Sequence, residues 1–292
     1  MLGVFSIDEP TTVQEASNLL DRFGTDATAY AGGTELLALM KEGLVRYSRL
    51  VDLKSIPGLA EVSIDDERRT LTIGALATHR ELARSRVVNE YAPLLAGMEA
   101  RVANVRVRAA GTIGGNLCFA EPHSDPATLL MAWGALLELA SARGVREAPI
   151  EDFFVGFLET ARRPDEILTA VRVPLQPGPG AGGAYEKFSL HERPTVTVAA
   201  LLRLQAGLVS ETRLAVGSAG PVPLRIGDAE QFLHGVTPAE HSFAEAGELA
   251  ARAIDPVNDL YGSVEYKRHL VRVLVKSALS AAAQQAMEGE AA

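Results

Sequence analysis

The chain has 292 residues, 47% of them hydrophobic and 22% charged, with a formal net charge of −9. That length allows two or three compact units of ordinary globular composition. The negative balance excludes a general nucleic-acid binder.

Pro10-Thr11-Thr12, followed by Gln14 and Glu15, predicts a capped helix running through Leu19, Leu20 and Phe23. Asp26 to Ala31 reads as a short strand. Thr34 to Lys41 reads as a helix that buries Leu36, Leu37, Leu39 and Met40, and Leu50 to Leu53 as a second strand. The join between the first strand and the helix is Ala31-Gly32-Gly33-Thr34-Glu35-Leu36-Leu37. A Gly-Gly turn entering a helix offers free amides and the positive end of the macrodipole to an anion.

Pro57-Gly58 marks a boundary. Leu59 to Ser63 and Thr70 to Ile73 predict a hairpin around Asp65-Asp66-Glu67. Thr78-His79-Arg80-Glu81 is a capping box, which puts His79 on a helix surface. Pro93 to Ala103 reads as a helix feeding the segment Arg106 to Asp125, whose centre is Thr112-Ile113-Gly114-Gly115-Asn116. This second glycine pair strips side chains from two positions, so a ligand can approach the backbone and φ > 0 becomes cheap. Neither pair matches the Walker A or Gly-x-Gly-x-x-Gly template. The residues alone go no further than an anion cradle. Ser124-Asp125-Pro126 opens an apolar helix, Pro126 to Leu139, with Asp125 placed to cap it. That run is too short to span a bilayer.

Glu166 to Val173 predicts a strand, and Gln176 to Gly183 a linker rich in glycine and proline. Three strands follow: Ala184 to Leu190, Thr195 to Leu204 and Leu208 to Val216. The remainder is helical. Its last helix, Val264 to Ala286, carries Leu270, Val273, Leu274 and Leu279 on one side and Lys267, Arg268, Arg272 and Lys276 on a solvated face. The single cysteine, Cys118, rules out an intrachain disulfide and leaves too few thiolates for an iron–sulfur cluster held by this chain alone. It reads as a small packed side chain. The six histidines lack metal-ligand spacing, so no metal ligand is assigned. Met1 to Ser6 shows no signal-peptide pattern, and the expected location is the cytoplasm.

Ala31 to Leu37, then Thr112 to Leu117 with Pro122 and Asp125, then Tyr185-Glu186-Lys187-Phe188 follow one another across nearly the whole chain. In that order they resemble the FAD-binding (medium) subunit of molybdenum hydroxylases, the family of carbon monoxide dehydrogenase and xanthine dehydrogenase. The resemblance implies an α+β fold: a p-cresol methylhydroxylase-type FAD-binding domain of two subdomains at residues 1–175, divided into about 1–57 and 58–175. A linker at 176–183 and a C-terminal domain at 184–292, with a three-stranded sheet and helices, would follow. It implies that Ala31, Gly32, Gly33, Thr34, Glu35 and Leu36, with Thr112, Ile113, Gly114, Gly115 and Asn116, surround the FAD diphosphate and its neighbours. Arg108 matches a family arginine, although Ala109 stands where many members carry asparagine. Asp125 would hold a cofactor hydroxyl or polar edge, Leu168 would lie against the isoalloxazine, and Lys187 would lie near the flavin.

The resemblance further implies an oxidoreductase subunit with no catalytic side chain of its own. FAD would be held in this chain. A large partner subunit would carry a molybdenum–pterin, and a small one two [2Fe-2S] clusters, in a dimer of heterotrimers. Electrons would pass from the clusters to FAD and on to an external acceptor. The competing readings are a self-contained flavin oxidoreductase and a non-catalytic nucleotide-binding assembly subunit.

Overall fold

The computed structural model describes residues 3–67, 69–175 and 178–291. Gln176 and Pro177, the first residues of the expected linker, lie outside the described residues. The chain divides into two compact units that are not contiguous in sequence. One comprises residues 1–119, 136–153 and 159–173; the other comprises 120–135, 154–158 and 174–292.

The first unit holds two sheets. In the smaller, Arg49–Asp52 lies between Ser6–Asp8 and Ala27–Tyr30 and pairs parallel with both. The helix Val13–Phe23 covers it. Thr12 caps that helix by accepting from the Glu15 amide, while the Glu15 carboxylate takes the Thr11 amide. Ala16, Leu20, Ala27, Val51, Leu53 and Ile56 form the local core. The five-stranded sheet has the order Val62–Asp65, Thr70–Gly74, Ile167–Pro174, Leu136–Ser141, Gly144–Pro149. Short helices at His79–Arg84, Arg86–Tyr91, Pro93–Glu99 and Val105–Ala110 lead to a helix at Ile113–Phe119.

The second unit is built on an antiparallel sheet, Ala181–Phe188, Val196–Gln205, Leu208–Gly217 and the two-residue Leu224–Arg225. Alternate residues Val196, Val198, Ala200, Leu202 and Leu204 join a core with helices Gly227–Leu233, Glu240–Ala253 and Val264–Ala291. The opposite face meets the helix Asp125–Trp133, where the Thr128 and Thr197 hydroxyls lie 2.8 Å apart. Covering both faces explains why the central strand is an almost unbroken apolar run.

Several sequence expectations are corrected. The apolar helix ends at Trp133 rather than Leu139, because Gly134 adopts φ 64° and closes it with a left-handed cap; Leu136–Ser141 is then a strand. Ser124 occupies the N-cap position, so Asp125 stands in the first turn. Ala181 to Gly183 belong to a strand, not to a linker. Of Leu36, Leu37, Leu39 and Met40, all expected to be buried by the helix Leu36–Glu42, only Met40 is. On the last helix Val273 is exposed, and Lys267, expected in solvent, is fully buried.

Candidate functional site

In the first unit the structure brings the two glycine motifs together. Gly33 turns the chain at φ 68°, and a Cβ there would stand 2.5 Å from the Tyr30 ring. A Cβ on Gly32 would stand 1.9 Å from the carbonyl oxygen of Ala110, two residues before Thr112. The first pair is therefore glycine because the backbone before the second motif lies directly against it. Among the described residues, the amides of Gly32, Gly33 and Thr34 meet no acceptor. Ala31 to Leu36 are all half-exposed. A positive-φ turn with open amides is an anion-binding concavity.

Lys54, which sequence reasoning passed over, stands beside this turn. Its Nζ lies 3.9 Å from the Tyr30 ring centroid, 3.4 Å from the Ala31 carbonyl oxygen and 2.8 Å from Asp52 Oδ2. Its signal was a lysine just after the second predicted strand, a position without a pattern of its own.

The second motif differs from expectation. Ile113 to Phe119 is a helix, and neither Gly114 nor Gly115 has positive φ. The amides at its start are spent inside the protein. Ile113 N donates to Ala77 O at 3.0 Å, Gly114 N to Ala75 O at 2.8 Å, and Gly115 N to Thr112 Oγ1 at 3.1 Å. Asn116 N donates to Thr112 O at 2.9 Å. The two glycines have separate reasons. Gly114 is buried, and a Cβ would stand 2.5 Å from Ala75 Cβ. Gly115 is exposed, and within 4 Å its Cβ would meet only Thr112 Oγ1, at 2.8 Å. Gly115 leaves bare backbone on an open face.

Arg108 donates from Nη1 to the carbonyls of Val102 and Ala103, at 2.7 and 2.9 Å, holding the loop that enters this segment. Leu168 is buried on the strand Ile167–Pro174, opposite Leu139. The next residue, Thr169, accepts the Ala75 amide, so this strand and the Gly114 contact share one support. Cys118 is half-buried, and burial pushes its thiol up, with Arg162 opposing.

In the second unit Asp125 is buried, and its Oδ1 accepts from the Tyr185 hydroxyl at 2.7 Å and from Lys187 Nζ at 3.0 Å. Tyr185 and Lys187 sit two apart on one strand, which puts both side chains on the same face. Lys187 is thus a paired, largely buried lysine. Two residues upstream of Asp125, the ring of His123 lies 2.7 Å from the Pro194 carbonyl through Nδ1 and 3.4 Å from Asp259 Oδ2 through Nε2. Burial works to raise the Asp259 carboxyl, but Lys267, the Tyr261 amide and His123 hold it below its ordinary value. Arg193 pairs with Glu121 at 2.6 Å. Among the described residues no group of three His, Cys, Asp or Glu side chains could hold a metal ion, and no helix is long and apolar enough to cross a membrane.

Open amides beside a cation, with bare backbone at Gly115, fit a dinucleotide diphosphate. The comparisons with known proteins agree. Residues 4–176 match the family described as the FAD binding domain in molybdopterin dehydrogenase, and residues 189–282 match the CO dehydrogenase flavoprotein C-terminal domain. The chain belongs to the FAD-binding medium-subunit family of the molybdenum hydroxylases, and it is an oxidoreductase subunit that binds FAD.

Among its relatives is the carbon monoxide dehydrogenase medium chain of Hydrogenophaga pseudoflava, 33% identical over 280 residues, covering 95% of this chain and 96% of that one. Subunit alpha of the 6-hydroxypseudooxynicotine dehydrogenase complex of Paenarthrobacter nicotinovorans is 32% identical over 278 residues, covering 94% and 93%. A structure of the Hydrogenophaga pseudoflava carbon monoxide dehydrogenase lacking the Mo-pyranopterin moiety matches with a TM-score of 0.94 at 32% identity, covering 98% and 99% of the two chains.

Proposed function

We propose that Ala31 to Leu36 and Thr112 to Asn116, with Arg108 behind them, hold the FAD diphosphate and its neighbours. In the same reading Leu168 lies against the isoalloxazine. The observation that carries this is the turn at Gly32, Gly33 and Thr34, whose amides meet no acceptor among the described residues. Open backbone donors there supply charge-assisted bonds to phosphate oxygens. Lys54 adds a positive charge beside them. Thr112 keeps the helix start fixed by accepting the Gly115 amide, so the exposed glycine presents backbone and not a side chain.

When bound, FAD supplies the electron-transfer chemistry, taking electrons from iron–sulfur clusters of a small partner subunit and passing them to an external acceptor. This chain's residues bind and orient the cofactor and set the charge around it. Substrate oxidation belongs to a large molybdenum subunit, and the whole is a dimer of heterotrimers working in the cytoplasm. Relatives named for carbon monoxide and for 6-hydroxypseudooxynicotine share similar flavin chains. That supports placing substrate choice in another polypeptide.

Gly115→Val tests the site. A β-branched side chain on the open face should abolish bound FAD in the purified complex while the FAD-free protein still folds and unfolds cooperatively. One FAD per chain in that variant would refute the assignment. Native mass measurement of the complex tests the assembly, and a mass without two unlike partners would refute it.

A further inference from the structure

His79 and Glu99 form a buried pair that the cofactor reading does not use. Both side chains are essentially inaccessible, at 2% and 0%, and His79 Nδ1 lies 2.6 Å from Glu99 Oε2. The capping box at Thr78 was legible in the sequence, but His79 is not on the helix surface; it points inward. The other carboxylate oxygen, Glu99 Oε1, is buried with no hydrogen-bond partner among the described residues. Glu99 is also the last residue of the helix Pro93–Glu99, where the macrodipole disfavours an acid. A buried carboxylate with one oxygen unmatched costs more than a well-packed apolar residue. Stability alone gives no reason to keep it.

What the pair touches supplies a reason. The His79 amide donates to Gly111 O at 3.1 Å. A Cβ on Gly111 would stand 3.2 Å from His79 Cδ2 and 3.5 Å from Nε2, so the imidazole lies flush against that residue. Thr78 bridges Thr112. Ala110, on the other side of Gly111, carries the carbonyl that abuts Gly32. Residues 110–112 are thus the hinge on which both glycine motifs sit, and His79 is the side chain packed against its middle. Glu99 Oε2, 2.6 Å from Nδ1, fixes the ring plane.

We infer that His79, oriented by Glu99, is a positioning residue for the cofactor diphosphate. It holds the Ala110–Thr112 segment so that the Gly32 turn and the Thr112–Asn116 helix start keep one spacing. This rests on the proposed reading that those two motifs hold FAD. Neither residue touches the cofactor.

The test is the rate of FAD release from the complex purified with its partner subunits, followed by flavin fluorescence. Four variants are compared with the parent: His79→Leu, His79→Asn, Glu99→Gln and Gly115→Val. His79→Leu removes the donor to Glu99, and release should accelerate on the order of tenfold, the scale of loss when a support behind a ligand-holding group is removed. His79→Asn restores an N–H near the Nδ1 position and should recover most of the parental rate. Glu99→Gln is nearly isosteric, so it keeps the fold while weakening the ring's anchor, and it should show a smaller acceleration. The visible circular dichroism of the retained flavin should shift in His79→Leu and return in His79→Asn. Parental release in both His79→Leu and Glu99→Gln would overturn the inference, and so would acceleration that His79→Asn fails to rescue. If Gly115→Val also releases FAD at the parental rate, the site assignment fails instead, whatever His79 does.

Discussion

Replacing Gly114 and replacing Gly115 should have opposite consequences, although the two are adjacent and identical. A Cβ on Gly114 would lie 2.5 Å from Ala75 Cβ and 2.7 Å from Ala75 O. Carbon–carbon contacts settle at about 3.5–4.0 Å, so roughly 1 Å of displacement is needed. Any such movement pulls on the 2.8 Å bond from Gly114 N to Ala75 O. Overpacking of this kind costs about 1–3 kcal/mol, and an amide left buried without its acceptor another ~1–3 kcal/mol. The total, roughly 2–6 kcal/mol, is a large part of the ~5–15 kcal/mol that holds a typical domain folded. At about 2–4 °C per kcal/mol for a chain of this size, Gly114→Ala should melt roughly 4–24 °C below the parent, with or without FAD. Gly115→Val adds bulk on an exposed face, where its Cβ has only the Thr112 hydroxyl to displace, and should melt above Gly114→Ala while losing the cofactor. Calorimetry of the FAD-free protein, beside flavin absorbance of the complex, separates the two. Gly114→Ala melting with the parent, or Gly115→Val proving the less stable of the pair, would refute this reasoning.

Lys187→Met should strand the Asp125 carboxylate in a nearly dry setting and cost about 3–5 kcal/mol by thermal unfolding, part of which Asp125→Asn on the same chain should restore. The bond from Arg146 holds the Glu166 carboxyl below its ordinary value despite burial. The stability it contributes is complete above the unfolded carboxylate pKa of about 4.3 and is lost as pH falls through the folded value. Glu166→Gln should therefore flatten the acid limb of the unfolding curve below about pH 4, and an unchanged limb would discount the pair. Burial raises the Cys118 thiol, so at neutral pH it should react more slowly with a thiol reagent than the same cysteine in unfolded chain, and equal rates would count against that burial.

Much of this fold could be read where one local rule dominates. Thr12 and Thr78 both cap helices as their spacing predicts, and the long strands of the second unit fall within a few residues of their expected bounds. The failures have physical causes. The apolar run after Asp125 has no periodicity to reveal where it changes from helix to strand, because all nine residues of the helix are buried; only Gly134 marks the break. Lys267 looks like a surface residue until Asp259, brought near by a loop, accepts its ammonium. Reading both glycine pairs as bare backbone for a ligand was incomplete. Gly32 and Gly114 are set by backbone packing, and the open amides belong to the first pair. Asp125 and Lys187 were named separately, and nothing in their spacing indicates that they form a pair.

The helix Asp125–Trp133 is made early and completed late. Its partner Thr197 is 69 residues further along the chain, so during synthesis a largely apolar segment must wait while the ribosome adds the strands that will cover it. The waiting form presents a sticky surface that invites chaperones or aggregation. Cutting the gene at the glycine-rich stretch near residue 178 would make that exposure permanent, leaving the N-terminal product with an uncovered helix and the C-terminal product with a bare sheet face. Expression as two fragments should recover native protein only when both are made together.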